Sequence, residues 1–238
     1  MPELAKHYTV IAPDLRGAGD SDKPATGYDK RTMAEDIHQL VQQLGHQRIF
    51  LVGHDIGLMV SYAYAAAHPA DVRRLVLLDA PIPGTKVFEE FVSSGRAWHF
   101  AFHNVQNLPE SLVEGRERTY LTEGFYRAQS YNPAAFTEAD VNEYVRCYSS
   151  PGGMRAGFEY FRAFPYDSKQ NKEYFKRKLP MPVLALGGAQ SFGPLIINMV
   201  KEVATNVSGG MIEQCGHWIA DERPEYLTEQ LLIFFGEE

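Results

Sequence analysis

The segment Arg48-Ile49-Phe50-Leu51-Val52 constrains the fold more than any other stretch of this chain. Its apolar residues run without alternation, so a strand built from them needs cover on both faces. A buried parallel strand meets that need. Around it the pattern changes period in a regular way. Thr32 to Leu44 carries apolar residues at Met33, Ile37, Leu40, Val41 and Leu44, which is helical spacing, and Gly45 supplies the stop. Leu58 to His68 is small and apolar, with Ala63, Ala65, Ala66 and Ala67, and suits a helix packed closely on a sheet. Val72 to Leu78 is a strand again. Upstream, Tyr8-Thr9-Val10-Ile11-Ala12 is β-prone and stopped by Pro13, which predicts a further strand before a Gly- and Asp-rich loop. The result is β-α-β-α-β, a parallel sheet with helices on its faces.

The alternation stops after Pro81-Ile82-Pro83-Gly84. From Lys86 to about Lys178 the chain is aromatic-rich and helical in texture. It then resumes with Val183-Leu184-Ala185-Leu186 as a strand, Leu195 to Val203 as a helix, a strand ending near Glu213, and a helix from about Pro224 to Phe235. The expectation is one α/β domain, residues 1–85 and 179–238, interrupted by a helical cap over 86–178. At 45% hydrophobic residues, 238 residues can bury one substantial core.

Gly53-His54-Asp55-Ile56-Gly57 stands between the buried strand and the alanine-rich helix. A Gly-x-Asp-x-Gly turn at that place has the form of a nucleophile elbow. Such a turn lifts its central side chain at the carboxyl end of the sheet and sets a helix N-terminus beneath it. Taken alone, Asp55 could equally be a helix cap. An elbow of the α/β-hydrolase kind needs a histidine after the last strand, and Ile212-Glu213-Gln214-Cys215-Gly216-His217-Trp218 places His217 there. It also needs a carboxylate after a strand. The usual place, Gly187 to Gly193, holds no acid, whereas Leu77-Leu78-Asp79-Ala80-Pro81 does, so Asp79 is the orienting acid by elimination and position.

Pro13-Asp14-Leu15-Arg16-Gly17-Ala18-Gly19-Asp20-Ser21, the Asp55 elbow and Cys215-Gly216-His217-Trp218 resemble the epoxide hydrolases of the α/β-hydrolase superfamily. Asp79-Ala80-Pro81-Ile82-Pro83 looks like their Cif-like bacterial branch. A carboxylate nucleophile suits an sp³ carbon bearing oxygen or halide, because the product is a stable alkyl ester. The expected reaction is opening of an epoxide through an Asp55 ester. Water activated by His217, itself held by Asp79, then hydrolyses that ester, and the backbone N–H of Ile56 serves as one oxyanion donor. The resemblance implies a histidine and a tyrosine in the cap as donors to the opening ring. Trp98-His99-Phe100 supplies His99. The family's tyrosine directly precedes an arginine, where this chain has Phe161 before Arg162, so Tyr160 is the neighbouring candidate.

Haloalkane and haloacid dehalogenases share this triad and are the second reading. They generally carry tryptophan or arginine after the nucleophile, where Ile56 stands. Family members also have strands and a His-Gly-x-Pro loop before the segment that opens this chain. A shortened homologue that binds ligands with little turnover is therefore the alternative of a different class.

The net charge of −7 argues against nucleic acid. Nothing approaches a membrane span, and the two cysteines lack disulfide or metal spacing. No metal or organic cofactor is expected. The substrate should be a small apolar epoxide or alkyl halide, since Trp98, Phe100, Phe102, Phe158, Tyr160, Phe161 and Phe164 suggest an apolar pocket. A homodimer is the association the resemblance leaves open. The expected location is cytoplasmic, with a signal peptide upstream of Met1 left open.

Overall fold

The computed structural model describes residues 1–236; the last two residues of the expected core lie outside them. Four parallel strands form the sheet in the order β1 (Ile49–His54), β2 (Val72–Leu78), β3 (Val183–Gly188), β4 (Val207–Ile212). Each is fed by a crossover helix or helices. Helix α1 (Lys30–Gln43) precedes β1, and α2 (Ile56–Ala67) joins β1 to β2. Between β2 and β3 lie α3 (Lys86–Ser93), α4 (Trp98–Asn104), α5 (Leu108–Val113), α6 (Glu117–Leu121), a π-turn at Thr122–Tyr126, α7 (Glu138–Tyr148), α8 (Gly153–Arg162) and α9 (Phe164–Tyr174). Helix α10 (Leu195–Val203) joins β3 to β4, and α11 (Ile219–Glu222) and α12 (Pro224–Gly236) close the described chain.

The period of two along the central strands sorts the core into two layers. Leu75 and Leu77 of β2, with Val183 and Ala185 of β3, pack among residues of α1, α2 and α10. Val76 and Leu78, with Leu184 and Leu186, pack on Leu227, Leu231, Phe234 and Phe235 of α12. All are buried, which is why these strands read as unbroken apolar runs. Helix α1 starts on Asp29, whose side chain accepts from the Thr32 N–H at 3.0 Å, and stops at Gly45, where φ is 80°.

The expected strand at Tyr8–Ala12 does not form. Tyr8 is anchored by edge contacts to Phe50 and Phe235, at 5.7 and 5.9 Å between ring centroids. The residues that follow are largely exposed and join no ladder. β-propensity describes a fit to a pleated, paired surface, and among the described residues no strand pairs with this segment. β1 is consequently an edge strand, and Val52 is exposed. Among the described residues no helix is long and apolar enough to cross a membrane. Cys147 and Cys215 are free thiols.

Candidate active site

Every candidate of the core sits at the carboxyl end of a strand. Asp55 follows β1 as the N-cap of α2, with φ 51° and ψ −121°. That backbone costs a non-glycine residue about 1–3 kcal/mol. The neighbouring glycine explains how so tight a turn fits. A Cβ at Gly53 would stand 2.2 Å from the Gly57 carbonyl oxygen and 2.5 Å from Ser61 Oγ, so the strand meets the helix backbone directly. A Cβ at Gly57 would meet nothing within 4 Å, so Gly53 is the glycine that this approach requires. Ile56 opens α2, and its N–H is one of the helix's first donors, beside the Asp55 carboxylate.

The sheet ladder continues past the strand ends and pins both acids. The Asp55 N–H donates to the Leu78 carbonyl at 3.3 Å, and the Asp79 N–H donates to the Leu186 carbonyl at 3.0 Å. Asp79, also at positive φ (47°), is fully buried. Its Oδ1 accepts from the N–H groups of Gly188 (2.8 Å) and Phe192 (3.3 Å), and its Oδ2 lies 2.8 Å from His217 Nδ1. The acid-free loop after β3 thus supplies the amides that hold the acid of the neighbouring strand. A Cβ at Gly188 would lie 1.8 Å from the Gly216 carbonyl oxygen, so the loops bearing Asp79's donors and His217 also meet at bare backbone.

His217 Nε2 lies 3.9 Å from Asp55 Oδ1, beyond hydrogen-bond reach but facing it. Burial disfavours a charged His217. The hydrogen bond to Asp79 and the two carboxylate charges outweigh that cost and raise its pKa above the ordinary value, which makes it the stronger base. His54 also matters here, although its place in the sequence showed only adjacency. Its Nε2–H donates to the His217 carbonyl at 2.8 Å, and its ring lies 4.6 Å from the imidazole it supports. Burial, with the nearby His217, pulls the His54 pKa down to about 4 and keeps the ring neutral.

Asp55 and His217 line a cavity of about 400 Å³ between the sheet and the helical insertion. Its walls include His99, Phe100, Phe125, Phe161 and both tryptophans, Trp98 and Trp218. Glu90, Arg96, Gln129 and Gln190 add polar lining that the aromatic pattern did not suggest. Phe102, Phe158 and Phe164 pack behind the wall instead. Phe125 comes from the π-turn, a geometry without a sequence signal.

The structure brings His99 to the cavity and turns Tyr160 away from it. The Tyr160 hydroxyl donates to the Arg16 carbonyl at 2.6 Å, and its ring meets Tyr28 edge-on at 5.5 Å. Adjacent helical residues differ by about 100° in direction, so Phe161 faces the cavity and Tyr160 the core. Tyr160 is therefore corrected from ring-opening candidate to packing residue.

His38, His68 and Asp71 gather ligand atoms within 4.8 Å of one another at the far end of α2, about 18 Å from Asp55 along the helix. The two imidazoles stack at 3.8 Å with planes 3° apart, so their in-plane lone pairs run parallel and do not converge on one ion.

A parallel sheet with a carboxylate at a strained strand-to-helix turn, faced by an imidazole on a second buried carboxylate, defines an α/β-hydrolase. The chain belongs to that family: the model of the alpha/beta hydrolase fold matches residues 1–224. Within it the chain is an epoxide hydrolase-like enzyme. It is 39% identical over 242 residues to a soluble epoxide hydrolase of Corynebacterium sp. (strain C12), covering 99% of this chain and 84% of the relative. The solved structure of the epoxide hydrolase CorEH superposes with a TM-score of 0.93 at 37% identity, over 99% of this chain and 84% of that one. A fluoroacetate dehalogenase of Burkholderia sp. is 28% identical over 248 residues, covering 99% of this chain and 81% of the relative.

Proposed function

We propose that this chain opens a small epoxide to a vicinal diol through a covalent ester on Asp55. The observation that carries this reading is a carboxylate, rather than a hydroxyl, at the elbow, with His217 Nε2 set back at 3.9 Å. A carboxylate needs no base to activate it, so the histidine is free for the second step. Asp55 attacks one ring carbon and the ring oxygen leaves as an alkoxide protonated from the His99 side of the cavity. His217 then takes a proton from water, which adds to the Asp55 carbonyl carbon while the Ile56 N–H steadies the oxyanion. Asp79 holds the imidazole in the tautomer that leaves Nε2 free to accept. Residues 86–178 act as a cap that excludes bulk water from this cavity, on a core formed by 1–85 and 179–238.

The test is to incubate the protein with styrene oxide and follow its intact mass. His217→Gln should accumulate an ester mapped to Asp55, and the parent chain should release diol. Folded protein that gives neither ester nor diol across varied epoxides defeats the reading and favours a ligand-binding homologue. Halide release from bromoalkanes or fluoroacetate tests the dehalogenase reading, which the Burkholderia relative keeps in view. The aliphatic Ile56 side chain offers a departing halide no N–H, which weighs against it.

A further inference from the structure

Ring opening leaves an alkoxide that must be protonated inside a cavity walled by aromatic rings. His99 is the lining imidazole on the insertion side, and burial depresses its pKa to about 4, so it is neutral at ordinary pH. A neutral imidazole that gives up its Nε2 proton must regain one at Nδ1. The His99 Nδ1 is buried and without a hydrogen-bond partner.

One helical turn further along α4 stands His103. It is 3% exposed, and its Nε2 is hydrogen-bonded to the hydroxyl of Tyr120 in α6. Its Nδ1 is likewise buried and without a partner. The His99 and His103 rings lie 5.8 Å apart between centroids, nearly edge to face. Phe161, Phe158 and Phe125 enclose His103 at 4.2, 4.8 and 5.9 Å. Burying an imidazole and a phenol among phenylalanines with one nitrogen unsatisfied is expensive, and buried groups perturbed in this way cluster at functional sites. Burial holds His103 neutral, with a pKa near 3, and raises that of Tyr120 above the usual phenol range.

We propose that Tyr120 and His103 form a proton relay that recharges His99 from behind during ring opening, a role that rests on the epoxide reading above. One tautomer set pairs the unsatisfied sites. The Tyr120 O–H donates to His103 Nε2, and the relay requires the His103 Nδ1–H to be directed at His99 Nδ1 and the His99 Nε2–H at the cavity. With the ring centroids 5.8 Å apart, the transfer between the two imidazoles requires a bridging water or a ring rotation. As the Asp55–carbon bond forms and the ring carbon–oxygen bond breaks, the alkoxide takes the His99 Nε2 proton. His99 takes the His103 Nδ1 proton, and His103 takes that of Tyr120, leaving a phenolate. The direction remains favourable because an alkoxide is a stronger base than a phenolate, although burial of Tyr120 narrows the difference. In the second step water gives one proton to His217, which passes it to the departing alkoxide. The Asp55 carboxylic acid so formed returns its proton to Tyr120 through solvent, and the cycle closes with epoxide and water consumed and diol released.

Tyr120 and His103 are thus positioning residues whose effect is confined to the alkylation half of the reaction. Single-turnover measurements with styrene oxide separate the halves, read by fluorescence of Trp98 and Trp218, the two tryptophans of the chain, which both line the cavity. Tyr120→Phe keeps the ring and its packing, and His103→Gln is the second variant. Each should slow ester formation at least tenfold while the ester, once formed, hydrolyses at the parent rate. Phe161→Tyr, which places a hydroxyl on the cavity wall itself, should restore alkylation in the Tyr120→Phe background. Unchanged alkylation in both variants overturns the relay, as does an equal loss in both halves, which marks a packing role. A parent chain that forms no Asp55 ester defeats the epoxide reading itself. An ester formed at full rate in the variants defeats only the relay.

Discussion

Asp79 shows how much one side chain can be made to do by its surroundings. Its Oδ1 is saturated by two backbone N–H groups and its Oδ2 is aimed at His217 Nδ1, so the carboxylate cannot turn without losing three contacts. Asp79→Asn keeps the shape. Presenting its NH₂ to His217 forces the imidazole to accept at Nδ1 and carry its proton at Nε2, where the base is needed. We expect hydrolysis of the Asp55 ester to slow by about 10²–10⁴-fold. Ester formation, which does not use that nitrogen, should be nearly unaffected. Time-resolved intact mass checks this, because the variant should accumulate the adduct that the parent chain clears.

At the scale of elements, α1 and α9 are joined by a buried ion pair. Lys30 and Asp167 are 2% and 1% exposed, with Nζ 2.9 Å from Oδ2. Lys30 Nζ also donates to the carbonyls of Tyr160 (2.6 Å) and Tyr28 (3.3 Å), and the Lys30 N–H donates to Asp167 Oδ1 at 2.8 Å. Burial pushes both groups toward their neutral forms, lowering the Lys30 pKa and raising that of Asp167, and their mutual attraction opposes it. Removing one partner strands the other charge. Lys30→Met or Asp167→Leu should each cost about 3–5 kcal/mol, and the double variant should recover most of that loss. Urea unfolding of the four proteins measures it; additive losses would mean that the two charges are not coupled. The same contact helps fix the phase of α8, because the Tyr160 carbonyl is one of the groups Lys30 holds. That phase turns Phe161, not Tyr160, into the cavity.

Across the whole molecule, several histidines are kept neutral by burial. His54, His99 and His103 have folded pKa values of about 4, 4 and 3, against 6.5 for an unperturbed imidazole. Between those values the unfolded chain binds more protons than the folded one, so stability falls as pH drops from 6.5 toward 4. Each histidine contributes up to about 1.4 kcal/mol per pH unit in that window. His217 has the opposite sign. Its folded pKa is raised, so its contribution is whole below 6.5 and is lost as pH climbs through the higher folded value. Thermal unfolding across pH 4 to 8 should show the acid-side loss, and His103→Gln should make it shallower. A melting temperature independent of pH between 6.5 and 4 would contradict the burial of these rings.

The alternation of strand and helix, the limits of α10 at Leu195–Val203 and the placement of Asp55 and Asp79 at strand ends were legible in the amino-acid order. Each depends on periodicity or turn chemistry within a few residues, and such signals are local. Tyr8–Ala12 marks the limit of that reading, since extended propensity makes a strand only where another strand offers its edge. The direction of Tyr160, the support of His217 by His54 and the amides that hold Asp79 were decided by the tertiary structure alone. So was the burial of His103 against Tyr120. In each case the partner lies far along the chain or on another helix, and a side chain's neighbour there depends on helical phase and packing. The sequence by itself determined which chemistry could be built at the end of the sheet. The packing of the insertion helices decided which imidazoles and hydroxyls face it.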